Sequence, residues 1–112
     1  MSHKLPNADL AILEVLKLRD YCLNPLHPEG RHKARVFAAA LGIGRGDAEW
    51  FRAEMLAVLC SAPVIRHEPS GFGDRYTVDL DIERNGFTAV VRTAWIVRCG
   101  EEIPRFVTCF VV

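Results

Sequence analysis

The dipeptide Asn85-Gly86 restricts the fold most strongly, because runs of alternating apolar and polar residues precede and follow it. Asn-Gly between two such runs is the strongest short-range signal for a β-hairpin with a type I′ turn. Residues 75–83 carry an apolar side chain at every second position, and residues 87–98 resume the alternation after the turn. The sequence therefore predicts two antiparallel strands joined at this dipeptide.

A further strand is predicted after the hairpin. Residues 99–104 contain a glycine and a proline, which are typical of a turn, and residues 105–112 alternate again. Because successive side chains of a strand point to opposite faces, Thr108 is expected to share a face with Phe106 and Phe110. In a meander, Thr108 then comes opposite the region of Thr93 on the middle strand.

The first half of the chain predicts helices. Residues 31–41 and 47–62 have helical periodicity, and Asp47 is a good N-cap for the second of these helices. In the first of them, Lys33 lies on the apolar face formed by Val36, Phe37, Ala40 and Leu41. Residues 9–23 fit either a third helix, or a short strand at 10–13 followed by a helix from about residue 17. Residues 64–70 are predicted to be a connector.

These elements together predict an α+β fold. Two or three N-terminal helices pack on a C-terminal antiparallel sheet of about three or four strands in a meander. A length of 112 residues suits one modest core, so we predict a single domain over residues 1–112.

Charge and cysteine content narrow the function classes. The 14 basic and 14 acidic residues balance, so a nucleic-acid contact must come from a local patch. None of the four cysteines forms a CxxC pair or has zinc-site spacing, and we expect no metal and no cofactor. The sequence has no run typical of a signal peptide or a membrane span, so a cytoplasmic protein with reduced cysteines is expected.

The stretch 24–37, NPLHPEGRHKARVF, concentrates cations at the start of a predicted helix. That end of a helix already carries positive partial charge, so cations there are unfavourable unless the site serves an anion. We expect His27, His32 and Lys33 to converge on a phosphate or similar anion, with one histidine as acid or base and Arg31 adding charge. The alternative is a solvated basic surface, with Lys33 extended along the edge of the core.

A second set of candidate residues lies on the predicted sheet. Threonine hydroxyls on a sheet face can hold a phosphate oxygen, which makes Thr93 and Thr108 candidates. Trp95 can stack on a base, and Arg92 can add positive charge to a cleft. The alternative for Thr93 and Trp95 is that they are ordinary strand and core residues.

Four segments of the chain resemble a small uncharacterised bacterial domain family, found as short proteins and as C-terminal modules of phage-type and secreted toxins. They read KLRDYCLNPLHPEGRHKARVF, DRYTVDL, VVRTAWIV and IPRFVTCF. The predicted layout is also similar to that of the toxin ribonucleases grouped with barnase, EndoU and RelE. The chain lacks the paired Glu/His signature of barnase-like enzymes. The resemblance implies a site formed by the motif residues His27, His32, Lys33, Arg92, Thr93, Trp95 and Thr108.

Our hypothesis is a metal-independent toxin ribonuclease, in which a ribose 2′-hydroxyl attacks its own phosphodiester. RNA, with tRNA as one form, is the expected substrate, and an antitoxin or immunity protein the expected partner. The first alternative is a non-enzymatic module, associated with toxins or phage, that binds a partner protein through the edge of the last strand. The second alternative is a metal-dependent hydrolase that uses His27 and His32 with Asp79 or Asp81.

Overall fold

The computed structural model describes residues 3–112 and confirms the α+β prediction. Strands β1 to β4 form one antiparallel sheet in sequence order, and the helices precede it in the chain. The helices are α1 (Val15–Lys17, extended by a π-helical segment Leu18–Cys22), α2 (Arg31–Leu41) and α3 (Ala48–Leu59). Short 3₁₀ turns cover Ala8–Leu10 and Arg45–Asp47. The strands are β1 (Val64–Ser70), β2 (Gly73–Arg84), β3 (Phe87–Arg98) and β4 (Arg105–Val111).

The hairpin between β2 and β3 forms where the sequence predicted it. Asn85 and Gly86 have φ angles of 50° and 86°, and positive φ at both central residues is what a type I′ turn requires. Arg84 pairs with Phe87, and the pairing continues without interruption to Gly73 opposite Arg98. The two-residue turn therefore sets the register of the whole hairpin.

Strand β1 corrects the prediction of a connector at residues 64–70. It pairs antiparallel with β2, with His67 opposite Tyr76. All its residues after Val64 are exposed, so it has no buried face to create an apolar alternation in the sequence. Its backbone hydrogen bonds are formed with β2. The residues of β1 alone do not reveal this pairing. Pro69 lies near its end, as is usual for an edge strand.

The N-terminal segment is closer to the second of the two alternatives predicted for it, but a single bridge residue replaces the predicted strand at 10–13. The chain is 3₁₀ at Ala8–Leu10, extended at Ile12 and helical only from Val15. Ile12 forms an isolated parallel bridge with Arg105 of β4. The residues around Ile12 therefore lie beside the start of β4.

The core lies between the helices and one face of the sheet. In α2 the buried residues are Ala34, Phe37 and Leu41, whereas Val36 is 45% exposed, so the apolar face is rotated from the predicted one. Phe37 packs edge-on against Phe51 of α3, with ring centroids 5.2 Å apart. Lys33, one turn before Phe37, is half-buried as predicted. Among residues 3–112, no helix is long and apolar enough to cross a membrane.

Asp47 precedes α3, as predicted, but its side chain forms no hydrogen bond to the backbone of that helix. Its carboxylate accepts the backbone N–H of Gly44 at 2.9 Å, which closes the 3₁₀ turn before the helix. The same carboxylate lies 2.8 Å from the guanidinium of Arg84 on β2. The hydrogen bond from Gly44 and, to a smaller extent, Arg84 lower the pKa of Asp47, while partial burial opposes them.

A bulge in β4 changes which residues face the core. The register shifts between Ala94 and Trp95, so Thr108 pairs with Ala94, whereas Phe106 pairs with Trp95. Phe106 and Cys109 are both buried. The prediction that Phe106 shares a face with Thr108 and Phe110 is therefore wrong, because one extra residue on β4 reverses the alternation between them. Thr108 and Phe110 do share a face, opposite Ala94 and Arg92.

Candidate functional site

Lys33 is the centre of a polar cluster built by three separate elements. Its ammonium donates hydrogen bonds to the hydroxyls of Tyr21 and Thr108, each at 2.9 Å. The ammonium also lies 4.7 Å from the centroid of the Tyr21 ring. Tyr21 belongs to the π-helical segment, Lys33 to α2 and Thr108 to β4. We call Tyr21, Cys22, Lys33 and Thr108 the Lys33 cluster.

Local sequence explains why the lysine reaches this position. Lys33 precedes Phe37 by four residues, so its stem lies on the buried face of α2 while its ammonium reaches the edge of the core. Gly30, just before α2, lets the helix approach Tyr21 closely. A Cβ atom at Gly30 would overlap the backbone oxygen and the ring of Tyr21. The contact between α2 and the π-helical segment therefore requires glycine.

Cys22, a member of the cluster, has a second cysteine, Cys109, as its neighbour. Cys22 and Cys109 are both fully buried, and the Cys22 sulfur is 3.9 Å from the Thr108 hydroxyl. Hydrogen bonding from Cys109, helped by Thr108 and by the charge of Lys33, lowers the pKa of Cys22 to about 6, although burial opposes this. Burial and the neighbouring Cys22 raise the pKa of Cys109. Of the two buried thiols, Cys22 is therefore the more acidic.

His27 stabilises the turn that leads into α2. Its Nδ1 atom accepts the backbone N–H groups of Glu29 and Gly30, at 3.0 and 2.9 Å. The ring packs edge-on against Tyr21, with centroids 4.8 Å apart. Because Nδ1 accepts two hydrogen bonds, the ring proton of the neutral histidine lies on Nε2. His27 is therefore beside the Lys33 cluster, but its Nδ1 lone pair is already used.

His32 and Arg31 begin α2 with exposed side chains. Within residues 3–112 neither side chain forms a hydrogen bond or an ion pair. His32 is adjacent in sequence to Lys33, and its imidazole is free to contact a ligand.

Thr93 and Trp95 are core residues and lie apart from any open surface. Both are fully buried. The Thr93 hydroxyl donates to the carbonyl oxygen of Val78 at 2.6 Å and accepts the indole N–H of Trp95 at 2.8 Å. Stacking on a base needs an accessible ring face, which Trp95 does not have. Thr93 pairs with Cys109 across the strands, and Thr108 pairs with Ala94, so the two threonines are not opposite each other.

Arg92 lies on the other face of the sheet, where it binds Asp79. Two parallel hydrogen bonds of 2.9 and 3.0 Å join the guanidinium to the carboxylate. These bonds raise the pKa of Arg92 further above its usual value. Asp81 on the same strand is exposed. In the part of the chain that the structure describes, no three histidine, cysteine or acidic side chains are placed to hold a metal ion.

The outer edge of β4, which the interaction-module alternative needs, is partly occupied by the chain itself. Ile12 donates its N–H to the oxygen of Pro104 and accepts the N–H of Phe106, both at 2.9 Å. The ammonium of Lys17 donates a hydrogen bond to the backbone oxygen of Phe106 at 2.8 Å. A partner strand would meet only the later residues of β4.

Sequence reasoning missed Tyr21 and Cys22 as members of the cluster. Tyr21 fitted a helical apolar stripe, and Cys22 fitted an ordinary core position. Both lie within the first motif segment, KLRDYCLNPLHPEGRHKARVF, together with Lys33. That shared segment was the available signal, but it does not show which side chains touch.

Comparison with known proteins identifies a family but no activity. Residues 4–112 match the family model of a domain of unknown function, DUF6883. No curated protein matches the chain, and no solved structure does. The similarity to toxin ribonucleases is therefore not supported by any of these comparisons. With nearly its whole length matched, the chain belongs to the DUF6883 family.

Proposed function

We propose that this domain cleaves RNA phosphodiester bonds, without a metal, at the Lys33 cluster. The observation that supports the proposal is the ammonium of Lys33 held between two hydroxyls, at 2.9 Å from each. An ammonium has three N–H donors, and two are used by Tyr21 and Thr108. The third is available for a phosphate oxygen, and the first two fix its direction.

The reaction is an internal transfer at phosphorus. The ribose 2′-oxygen forms a bond to the phosphorus, and the bond from phosphorus to the 5′-oxygen of the next nucleotide breaks. The products are a 2′,3′-cyclic phosphate and a free 5′-hydroxyl. A base must take the proton from the 2′-hydroxyl, and an acid must give one to the leaving oxygen.

We assign His32 as the base that takes the proton from the 2′-hydroxyl, and water supplies the proton to the leaving 5′-oxygen. Its imidazole is exposed, whereas the Nδ1 of His27 is committed to two backbone N–H groups. Lys33 stabilises the extra charge on the phosphate, and the Thr108 hydroxyl orients Lys33. His27 acts as a positioning residue through Tyr21. Thr93, Trp95 and Arg92 have no part in this scheme, because they are buried or paired elsewhere.

The expected substrate is tRNA or another structured RNA. A toxin of this type needs a neutralising protein, so we also propose an antitoxin or immunity protein as its partner. The adjacent gene is the first place to look for that protein.

Incubation of the purified protein with total cellular RNA and excess chelator tests the proposal. We expect cleavage by the wild type, with products that end in 2′,3′-cyclic phosphate. Lys33→Ala and His32→Ala should lose the activity while they remain folded. Equal cleavage by the wild type and both variants would refute the assignment of Lys33 and His32 to the site. Intact RNA after incubation with the wild type would refute the proposed cleavage itself.

A protein-interaction module is the second candidate, and strand β1 favours it. This edge strand is exposed along most of its length, and Ile65 within it is 49% exposed. Addition of a partner strand at this edge is a common mode of recognition. This candidate predicts no RNA cleavage. It also predicts that Ile65→Lys, but not Lys33→Met, loses binding to the protein encoded by the adjacent gene.

A further inference from the structure

A groove runs along the side of α2 that does not carry Lys33. Its volume is about 520 Å³, which is in the range of sites that hold one small ligand or one nucleotide unit. Buried apolar residues form its floor, and arginines form its rim. The floor residues are Leu23, Ala34 and Ile43, and the rim residues are Arg31, Arg35 and Arg45. We call these six residues the α2 groove.

The rim carries charge that the protein itself does not neutralise. Arg31 and Arg35 are exposed, and within residues 3–112 neither forms an ion pair. Arg45 differs, because its guanidinium binds the carboxylate of Asp20 at 3.0 Å and the backbone oxygen of Arg19 at 3.1 Å. Helix α2 contains no acidic residue, although the formal charge of the whole chain is zero. The free charge of the groove is therefore local and positive.

The spacing of the rim suits successive phosphates. Arg31 and Arg35 are one helical turn apart, so they lie on the same wall and their Cα atoms are separated by about 6 Å along the axis. A guanidinium presents paired N–H donors, which match phosphate oxygens. The apolar floor between the rim arginines is suited to the face of a base.

The groove and the Lys33 cluster flank the same turn of α2. Arg31 and Lys33 are two residues apart at the start of the helix, and Leu23 and Tyr21 are two residues apart in the segment packed beneath it. A strand whose phosphate is held by Lys33 must cross the width of the helix, about 10 Å, at its exposed start to enter the groove. We propose that the α2 groove binds a nearby nucleotide of the same strand, with its phosphates on Arg31 and Arg35 and its base on the apolar floor.

This inference rests on the proposed RNA cleavage, and a binding assay separates the two. The probe is a fluorescein-labelled decamer of 2′-O-methyl uridine, which lacks the attacking hydroxyl and cannot be cleaved by the proposed reaction. Fluorescence anisotropy gives the Kd at several salt concentrations. The matched control for Arg31→Gln and Arg35→Gln is Arg98→Gln, an exposed arginine at the end of β3.

Loss of one phosphate contact should weaken binding about 5- to 10-fold, since a tenfold change in Kd corresponds to about 1.4 kcal/mol. Each of Arg31→Gln and Arg35→Gln should show this loss. Each should also reduce the slope of log K against log salt by about 0.7, the value for one contact on a single strand. Arg98→Gln should bind within about twofold of the wild type, as a charge outside the contact area should.

A second pair of variants tests the groove without removing an arginine. Ala38 lines the groove and is exposed, whereas Thr88 is exposed near the start of β3 and does not line the groove. Ala38→Glu should weaken binding about tenfold through repulsion of the phosphates, and Thr88→Glu should weaken it clearly less. Equal effects of the two substitutions would contradict a bound strand in the groove.

The remaining outcomes are also decisive. The groove assignment is overturned if the wild type does not bind the decamer, if Arg31→Gln and Arg35→Gln behave like Arg98→Gln, or if polyglutamate of equal length binds more tightly than RNA. The last result would indicate an acidic protein as the occupant. Binding of the decamer that depends on the arginines, without cleavage of unmodified RNA, would refute the proposed enzyme activity but support the groove as a binding site. Cleavage of unmodified RNA at a rate that the arginine substitutions do not change would refute the groove assignment but support the enzyme activity.

Discussion

The hydroxyl of Thr93 joins a strand backbone to the core tryptophan, and its removal should be costly. Thr93→Val keeps the shape of the side chain but leaves the indole N–H of Trp95 buried without an acceptor. A buried unsatisfied donor costs about 1–3 kcal/mol, and the lost hydrogen bond to Val78 adds about 1 kcal/mol. We therefore expect the free energy of unfolding to fall by about 2–4 kcal/mol. With an unfolding entropy of about 2.1 cal/mol/K per residue over 112 residues, Tm should fall by about 8–17 °C.

A double-mutant cycle separates this mechanism from a general packing defect. In a Trp95→Phe background the orphaned N–H does not exist, so Thr93→Val should cost only about 1 kcal/mol. Thr93→Ser keeps the hydroxyl and should cost about 1 kcal/mol, through the lost methyl group. Urea denaturation followed by circular dichroism gives the free energies of unfolding of all five proteins: the wild type, the three single variants and the double variant. A cost for Thr93→Val that is the same in both backgrounds would refute the reasoning.

The same variant tests whether Thr93 has a catalytic role. Below its Tm, folded Thr93→Val should cleave RNA at the wild-type rate, because the hydroxyl is sealed in the core. A folded variant with no cleavage would restore Thr93 to the site.

Two further predictions concern single contacts. Because the pKa of Asp47 is lowered in the folded protein, its carboxylate contributes stability above its ordinary value of 3.8, and this contribution is lost as the pH falls below it. Asp47→Asn should therefore lower Tm at pH 7, and the difference from the wild type should shrink towards pH 2; a difference independent of pH would contradict this. Gly30→Ala should destabilise by about 3 kcal/mol in urea, since its Cβ meets Tyr21, whereas Gly46→Ala, in open space, should change the stability by about 0.5 kcal/mol or less. Similar effects of the two would show that the close approach at Gly30 is not needed.

The features predicted correctly from sequence are those set by short-range rules. The hairpin follows from Asn85-Gly86, because the turn type depends on two residues and fixes the register of both strands. Helix α2 begins and ends where its periodicity predicted, at Arg31 and Leu41. The inward position of Lys33 follows from the same periodicity, since it lies four residues before Phe37.

The features that sequence did not predict depend on partners far along the chain. Strand β1 exists because β2 supplies its hydrogen bonds, and its own residues carry no buried face. The bulge in β4 moves Cys109 into the core and takes Thr108 away from Thr93. The contact of Lys33 with Thr108 spans 75 residues of sequence, and no local pattern specifies it.

The burial of Trp95 illustrates a different limit. A tryptophan on a strand fits both a core and a base-stacking surface, because the same large ring serves either. Only the packing decides: the Phe106 ring lies edge-on at 5.4 Å, and Thr93 takes the indole N–H. The pattern of residues could predict the face of the strand, but not that the helices would cover it completely.

The most direct test of the Lys33 cluster as a cleavage site uses a mixture of cellular tRNA and ribosomal RNA, in buffer with excess chelator. We expect fragments that end in a 2′,3′-cyclic phosphate, and a rate at least about 100-fold lower for Lys33→Met, as expected for loss of a charged group that stabilises the transition state. Arg98→Gln should cleave at the wild-type rate. Intact RNA, or equal rates for the wild type and a folded Lys33→Met, would contradict cleavage at this cluster.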